Sequence, residues 1–257
     1  MATLLRQWRG TAPSSWVPSA IGVATPAIVV GAQALHATGY ALGLKLDGVP
    51  GAAIAYYGDG ATSQGDIHEA LTFAAAWQAP VVMFCQNNGW AISEPVSLQS
   101  RRPLAERAAG YGIPGLTVDG NDVLAVLAAT RSALARARAG EGPTLIEAVT
   151  YRMGPHTTSD DPTRYRDRAE LDDWHDRDPI ERVRRLLERS GWLSDDQAAA
   201  VSAAADDVAA RLREGCLTTP DPLPESMFDH VYAEPHPLID SQRAALTAHL
   251  SSLDGAS

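Results

Sequence analysis

Two short polar segments contain residue types that could bind a metal ion and a phosphate group. The first is Gly58–Ala61, with the sequence GDGA, and the second is Gln86–Trp90, with the sequence QNNGW. Asp59 offers a carboxylate oxygen, Asn88 a side-chain amide oxygen, and Trp90 a backbone carbonyl oxygen. Mg²⁺ prefers oxygen ligands and takes its remaining ligands from water and phosphates. The two segments predict a magnesium site if the fold brings them together.

The elements around these segments predict such a fold. Three apolar runs, Ala52–Tyr57, Val81–Cys85 and Thr144–Tyr151, are typical of buried parallel strands. The spacing predicts helices over Gln64–Gln78 and about Asp122–Ala139, which gives the order strand, helix, strand, loop, helix, strand. This order predicts an α/β fold with a doubly wound parallel sheet. Ligands of such sheets bind beyond the carboxyl ends of the strands, where both polar segments would lie.

The glycines and the first helix favour a phosphate ligand. Gly58 and Gly60 would let the backbone approach a ligand and adopt φ values that other residues avoid. Ser63 is the predicted cap of the first helix, with Asp66 three residues on, and the helix amino terminus favours a diphosphate. Together these features predict a diphosphate bridged by Mg²⁺. The alternative is two ordinary strand–loop junctions, because Gly-Asp-Gly is common in turns.

After the last predicted strand, the apolar runs give way to a polar loop and then to helical segments. We expect residues 1–168 to form the α/β domain and residues 169–257 to form a helical C-terminal extension that packs on it. Asn121 and Gly140 are the predicted start and end of the second helix. The extension has three predicted helices: Asp178-Pro179 to Gly191, Ser194 to about Gly215, and about Ser241–Leu250.

Composition excludes several classes of partner. A formal net charge of −10 over 257 residues leaves no basic surplus for nucleic acid or for an anionic membrane surface. The two cysteines, Cys85 and Cys216, cannot form a disulfide framework or a thiolate zinc site. Residues 1–10 have no apolar signal-peptide core, so we expect a cytoplasmic protein.

The stretch YYGDGATSQGDIHEALTFAAAWQAPVVMFCQNNGWAIS resembles the thiamine-diphosphate motif of a known family. That family comprises the α subunits of the decarboxylating component of 2-oxoacid dehydrogenase complexes, and the branched-chain type is the most similar. GYGIPGLTVDGNDVLAV, GPTLIEAVTYRMGPHTTSDDPTRYR and DPIERVRRLLERSGW resemble the same subunits in order. The resemblance runs from about Gly31 to the C-terminus and implies the thiamine-diphosphate-binding fold.

The resemblance also implies roles for individual residues. Asp59, Asn88 and the Trp90 carbonyl would hold Mg²⁺, as the oxygen chemistry above predicts. The backbone from Gly58 through Gly60 and Ala61 would contact the diphosphate. Gln86 lies where some relatives place an arginine that contacts the diphosphate. A neutral amide would therefore replace one charged contact here. The carbonyl of Val30 would meet the aminopyrimidine ring.

His156, in the segment GPHTTSDD, matches the active-site histidine of that family. An isolated histidine in a polar loop is usually a solvated surface residue. The resemblance instead implies that His156 lies near the cofactor phosphates and the reacting centre, where it would deliver a proton or stabilise an oxyanion. Arg152, Asp160, Asp161, Tyr165 and Arg166 are expected to order this loop through ion pairs and hydrogen bonds.

The resemblance implies partners as well as a reaction. A β subunit would supply the glutamate that activates the cofactor in an α₂β₂ assembly, and a lipoyl domain of an acyltransferase component would accept the acyl group. The family's N-terminal segment, with a Tyr-Arg pair that grips the diphosphate, has no match here. A truncated product, a split subunit whose missing segment is a separate chain, and a degenerate subunit remain open. Two other functions also remain open: a split thiamine-dependent enzyme that forms carbon–carbon bonds, and an inactive scaffold subunit.

Overall fold

The computed structural model of the chain describes Leu5, residues 17–25 and residues 28–254. By their contacts, residues 27–194 form one compact unit, and residues 195–257 form a second with the described part of residues 1–26. The predicted domains, 1–168 and 169–257, and the packing of one on the other stay predictions. None of the helices in the described part of the chain has both the length and the apolar character needed to cross a bilayer.

A four-stranded parallel sheet organises the unit of residues 27–194. Its strands are β1 (Ala53–Gly58), β2 (Val81–Asn87), β5 (Gly115–Asp119) and β6 (Thr144–Val149). The strand order across the sheet is β1-β2-β6-β5, and all three neighbouring pairs are parallel. This architecture confirms the predicted α/β class, and β1, β2 and β6 correspond to the three predicted apolar runs. Strand β5 was not predicted.

Helices from residues 27–194 pack on both faces of this sheet, and further helices follow later in the chain. They are α1 (Ala32–Leu46), α2 (Gly65–Trp77), α3 (Val96–Gln99), α4 (Arg107–Gly110), α5 (Val123–Arg138), α6 (Arg168–His175), α7 (Pro179–Arg189), α8 (Asp195–Thr218) and α9 (Pro237–Asp254). Short 3₁₀ turns occur at Pro18–Ile21, Asp59–Ser63, Leu104–Glu106, Pro162–Arg164 and Pro224–Phe228. The last two helices are longer than the predicted segments.

The central strand β2 shows why the apolar runs are continuous. Val81, Met83 and Cys85 belong to a core cluster that also contains Ile67 and Leu71 of α2. The alternate residues Val82 and Phe84 belong to a second cluster with residues of α5 and β6. Because both faces of the strand are buried, every position is apolar rather than every second one.

The start of α2 differs from the prediction. Gln64 is the N-cap residue, and no side chain caps the helix, so the predicted capping by Ser63 and Asp66 is wrong. The physical reason is the Asp59–Ser63 turn, which separates the strand from the helix and places Gly65 as the first helical residue. The Ser63 hydroxyl donates a hydrogen bond to Oε1 of Gln99 instead, at 3.0 Å.

Helices α5 and α7 both begin with an aspartate N-cap. Asp122, not the predicted Asn121, caps α5, because its carboxylate accepts hydrogen bonds from the backbone N–H groups of Leu124 and Ala125. Asn121 instead donates to the backbone carbonyl of Arg177, at 2.9 Å. Asp178 caps α7 with Pro179 as the first helical residue, as predicted.

Lys45 forms an unusual cap between two helices. Its Nζ, near the end of α1, donates to the backbone carbonyls of Trp77 and Gln78 at 2.7 and 3.2 Å. Gln78 is the C-cap residue of α2 and has a left-handed backbone with φ of 49°. A cation at the carboxyl end of a helix donates hydrogen bonds to the free carbonyls and also interacts favourably with the negative end of the helix dipole.

A small hairpin interrupts the chain between β2 and α3. Strands β3 (Trp90–Ala91) and β4 (Glu94–Pro95) pair antiparallel, with Ile92 and Ser93 between them. Ile92 has φ of 58°, a left-handed conformation that costs a β-branched residue free energy. This hairpin begins at Trp90, so it lies directly at the predicted metal site.

Candidate functional site

Asp59 is a buried carboxylate at the carboxyl end of β1. Its side chain is 1% exposed. Oδ1 accepts a hydrogen bond from the backbone N–H of Asn88 at 3.4 Å, and Oδ2 accepts one from Nε2 of Gln99 at 3.1 Å. Among the residues that the structure describes, no Lys, Arg or His side chain pairs with it. A buried carboxylate is stable as an anion when it is paired or coordinates a metal ion, so this position fits a cation.

The two predicted strand ends meet at this carboxylate. Gly58 is the register neighbour of Gln86 in the parallel pair of β1 and β2, which places the segments side by side. Oδ1 of Asn88 accepts a hydrogen bond from the Trp90 backbone N–H at 3.2 Å. The structure thus brings Asp59, Asn88 and Trp90 into one hydrogen-bonded chain, and their coordination of Mg²⁺ stays a prediction.

The donors around Asp59 fit a magnesium-bridged phosphate. The set contains one carboxylate, one amide and one backbone carbonyl, all oxygen ligands of the kind that Mg²⁺ prefers. No group of three or more His, Cys, Asp or Glu side chains that could hold a metal ion occurs in residues 17–25 and 28–254. A site of this composition is therefore suited to a cation that also takes oxygens from a phosphate and water.

Glycine is required at Gly60 for packing. A Cβ atom there would lie 2.9 Å from the Cβ of Ala91, so the backbone of Gly60 in the Asp59–Ser63 turn packs directly against the Ala91 methyl group in the β3–β4 hairpin. Neither Gly58 nor Gly60 has a positive φ, so the prediction that they adopt conformations other residues avoid is wrong. A Cβ on Gly58 would meet nothing within 4 Å, which leaves an open face beside the buried Ala61 turn.

The remaining predicted cofactor contacts lie around this point. Gln86 is exposed at the end of β2, between register neighbours on β1 and β6. Val30 is 55% exposed and precedes Gly31, which has φ of 94°. A Cβ on Gly31 would lie 3.2 Å from the Cβ of Gln64, so Val30 is close to the start of α2. Their cofactor contacts stay predictions.

A buried glutamate that sequence reasoning missed shapes the second strand end. Glu147 in β6 is 2% exposed and accepts hydrogen bonds from Nδ2 of Asn87 at 2.8 Å and from the Ala105 backbone N–H at 2.9 Å. Oδ1 of Asn87 accepts from the Gly89 backbone N–H at 3.0 Å. The first asparagine of the pair therefore holds the turn, and the second faces Asp59. The only sequence signal was a single charge within the apolar run TLIEAV.

Cys85 lies next to these carboxylates and is not a nucleophile. Burial raises the pKa of its thiol, and the charges of Glu147 and Asp59 raise that pKa further. A thiol that resists ionisation is chemically inert at neutral pH. This agrees with Cys85 being part of the core cluster on one face of the sheet.

His156 lies in an exposed loop, residues 153–167, which we call the His156 loop. Its backbone N–H donates to Oδ2 of Asp160 at 2.7 Å, and its imidazole has no partner among the described residues. The Tyr165 hydroxyl donates to the same Asp160 oxygen at 2.6 Å. These two hydrogen bonds, the His156 one first, lower the pKa of the Asp160 carboxyl.

Arg152 joins the His156 loop to the predicted metal site. Its guanidinium donates to the Trp90 carbonyl at 3.2 Å, to the Ile92 carbonyl at 2.7 Å and to the Tyr165 hydroxyl at 2.9 Å. A carbonyl oxygen has two lone pairs, so the hydrogen bond to Trp90 leaves one for a metal ion. The guanidinium of Arg166 donates to the carbonyls of Arg152 and Met153.

Asp161 caps the Pro162–Arg164 turn within the same loop. Its Oδ1 accepts hydrogen bonds from the Thr163 backbone N–H at 3.1 Å and from the Thr163 hydroxyl at 2.6 Å. Hydrogen bonds therefore order the loop, as predicted for these five residues. The ion pairs also predicted among them do not occur in the described structure, because the Tyr165 hydroxyl lies between Arg152 and Asp160 and bonds to both.

Comparison with known proteins identifies the family. The family model described as "Dehydrogenase E1 component" matches residues 13–214. The chain is 48% identical over 248 residues to the 3-methyl-2-oxobutanoate dehydrogenase subunit alpha of Mycobacterium tuberculosis (strain H37Rv). The aligned region covers 96% of this chain and 68% of that protein. The chain is also 46% identical over 209 residues to the pyruvate dehydrogenase E1 component subunit alpha of Staphylococcus aureus (strain COL). That aligned region covers 80% of this chain and 56% of that protein. The chain therefore belongs to the dehydrogenase E1 component family.

Proposed function

We propose that this chain is the α subunit of a 2-oxoacid dehydrogenase and binds thiamine diphosphate through Mg²⁺. The observation that carries the proposal is the buried Asp59 carboxylate, which accepts a hydrogen bond from the Asn88 backbone and pairs with no cationic side chain of the described residues. Family membership supports the same cofactor. The open face at Gly58 and the exposed Gln86 near the end of β2 support an approach of the diphosphate to that carboxylate.

Each residue then has a defined task. Asp59, the Asn88 side chain and the Trp90 carbonyl would hold Mg²⁺, and the backbone from Gly58 to Ala61 with Gln86 would contact the diphosphate. The Val30 carbonyl would orient the aminopyrimidine ring. The bound cofactor supplies the carbanion that adds to the 2-oxo carbon of the substrate.

His156 would handle protons at the reacting end of the site. Imidazole can donate or accept a proton near neutral pH, which suits delivery to a developing oxyanion. The bond from its backbone N–H to Asp160 fixes the loop while the imidazole stays free. The side chain can therefore turn toward substrate without breaking the network that holds its backbone.

The assembly in the proposal includes a β subunit that completes the site with an activating glutamate, in an α₂β₂ complex. A lipoyl domain would accept the acyl group. We favour a branched-chain 2-oxoacid, because the mycobacterial relative that the chain matches over 96% of its length is named for 3-methyl-2-oxobutanoate. Pyruvate is the rival substrate, named in the relative that is 46% identical.

Calorimetry tests cofactor binding directly. The chain, alone and with its β subunit, is titrated with thiamine diphosphate in the presence of Mg²⁺. The control is the same titration with chelator-treated protein and no added Mg²⁺. We expect Mg²⁺-dependent binding that strengthens or occurs only with the β subunit. Absence of binding in both preparations would contradict the proposal and support an inactive scaffold subunit.

Steady-state kinetics test the substrate. The α/β pair is assayed with 3-methyl-2-oxobutanoate and pyruvate, first with an artificial electron acceptor and then with a lipoylated domain. We expect the larger kcat/KM for 3-methyl-2-oxobutanoate. Faster turnover of pyruvate would reject the branched-chain assignment. Turnover without any transfer to the lipoyl group would favour a carbon–carbon bond-forming enzyme.

A further inference from the structure

Gln99 contacts the Asp59 carboxylate although it lies 40 residues further along the chain. It is the last residue of α3, directly after the β3–β4 hairpin. Its Nε2 donates to Oδ2 of Asp59 at 3.1 Å, and its Oε1 accepts from the Ser63 hydroxyl at 3.0 Å. One side chain thus connects both ends of the Asp59–Ser63 turn.

The chemistry of the partners fixes the orientation of this amide. An ionised carboxylate can only accept hydrogen bonds, so the NH₂ group of Gln99 must face Asp59. The oxygen of the same amide then faces Ser63, whose hydroxyl can donate. Both ends of the amide are satisfied in this orientation, and rotation by 180° would turn the amide oxygen toward the carboxylate and lose the hydrogen bond to Asp59.

The backbone of Gln99 is tied to the same turn. Nη2 of Arg107 donates to the Gln99 carbonyl at 3.3 Å, while Nη1 donates to the carbonyl of Thr62 at 2.9 Å. Arg107 therefore clamps the end of α3 to the Asp59–Ser63 turn through two main-chain oxygens. This clamp places the amide against Oδ2 without bringing the guanidinium to the carboxylate itself.

The two hydrogen bonds on Asp59 orient its carboxylate and preserve its charge. Asn88 donates to Oδ1 and Gln99 donates to Oδ2, so both oxygens are fixed and the carboxylate plane cannot rotate freely. Both donors are neutral amides. A Lys or Arg in the position of Gln99 would neutralise the carboxylate and compete with a divalent cation, whereas an amide leaves the negative charge for the ion.

We infer that Gln99 is a positioning residue for the magnesium ion, acting through Asp59. This inference rests on the proposed function, because it concerns the same cation. Groups that hydrogen-bond to a metal ligand typically change metal affinity by about 10- to 100-fold when they are removed. Gln99 is expected to act on Mg²⁺ affinity and not on the steps that follow when Mg²⁺ is saturating.

The decisive variant is Gln99→Leu, which keeps the approximate size of the side chain and removes its hydrogen bonds. In the α/β complex with thiamine diphosphate, calorimetry should show Mg²⁺ affinity lowered by roughly tenfold. At saturating Mg²⁺, the affinity for thiamine diphosphate should return to within about twofold of the wild-type value. Gln242→Leu, the same change at an exposed position of α9, should leave both affinities unchanged.

Excess Mg²⁺ distinguishes a positioning role from structural damage, because it would restore the affinity for thiamine diphosphate in the first case and not in the second. Ser63→Ala provides a second variant if Gln99→Leu does not assemble, because Ser63 is exposed and its hydroxyl touches only the far end of the amide. It should lower Mg²⁺ affinity by about two- to threefold.

Two results would overturn the inference in distinguishable ways. Unchanged Mg²⁺ affinity in Gln99→Leu, in a complex whose wild type binds, refutes the role of Gln99 alone. A wild-type complex that binds neither Mg²⁺ nor thiamine diphosphate refutes the proposed function together with it.

Discussion

Asp59 and His156 mark two regions of the candidate site that are built in opposite ways. The Asp59 region is buried, and its turn packs on the β3–β4 hairpin so closely that Gly60 has no room for a Cβ atom. The His156 loop is exposed, and hydrogen bonds from charged and polar side chains hold it in place. In the proposed function, the buried region would be a rigid end that sets cofactor geometry, and the exposed loop would be the end that meets a partner and a substrate.

The largest expected effect is at the rigid end. Asp59→Asn removes the only charged member of the predicted ligand set, so we expect Mg²⁺ affinity to fall by more than about 100-fold. Because a buried anion without its cation is unfavourable, the metal-free variant should unfold at a urea concentration no lower than that of the wild type. Calorimetry and urea unfolding measure the two effects, and retention of Mg²⁺ binding would contradict the assignment.

The two glycines that flank Asp59 test whether packing or ligand approach determines the need for glycine in this turn. Gly60→Ala should lower the free energy of unfolding by about 1–3 kcal/mol, because the new methyl group collides with the Cβ of Ala91. Gly58→Ala has open space and φ of −83°, so its stability should stay equal or rise by up to about 1 kcal/mol. In contrast, Gly58→Ala should weaken binding of thiamine diphosphate. Equal destabilisation of both variants would contradict the packing difference.

A smaller effect is expected where the two regions are linked. Arg152→Lys keeps the charge but cannot reach the Trp90 and Ile92 carbonyls and the Tyr165 hydroxyl at once. We expect limited proteolysis within residues 153–167 to accelerate by roughly tenfold, with little change in global unfolding. Arg164→Lys, in the same loop, is the control. Unchanged proteolysis would show that Arg152 does not order the loop.

The smallest effect concerns pH at the exposed end. The folded-state pKa of Asp160 lies below the ordinary value of 3.8, so its contribution to loop order is present above that value and is lost as pH falls through the folded pKa. Amide hydrogen exchange at His156 should therefore be constant from neutral pH down to about pH 4 and accelerate below it, after correction for intrinsic rates. Asp160→Asn should abolish this pH dependence. A change between pH 5 and 7 would contradict it.

The sheet and the strand ends could be predicted because burial on both faces leaves continuous apolar runs. Strand β5 was missed because it lies at the sheet edge and its residues, Gly115–Asp119, are mostly exposed, so no such run marks it. Two caps were misplaced by one residue because the side chains of Ser63 and Asn121 form hydrogen bonds elsewhere in the fold.

Side chains that act over long sequence separations could not be predicted. Glu147 meets Asn87 from 60 residues away, and Gln99 meets Asp59 from 40. Glu147 is marked only by its charge within an apolar run, and Gln99 has no local pattern that distinguishes it, because the fold alone determines which residues they contact. The resemblance supplied the expected roles of Asp59, Asn88 and His156, but their supporting residues required the structure.

Lys45 gives the chain an unusual chemical property. It is the only lysine among the 257 residues, so an amine-directed reagent has one side-chain target in addition to the N-terminal amine. The target amine donates hydrogen bonds to the Trp77 and Gln78 carbonyls, and acylation would remove its charge and leave a single N–H in place of the ammonium donors. Single-site labelling would therefore report directly on the integrity of the junction between α1 and α2, and protection of Lys45 would measure how firmly that junction is closed.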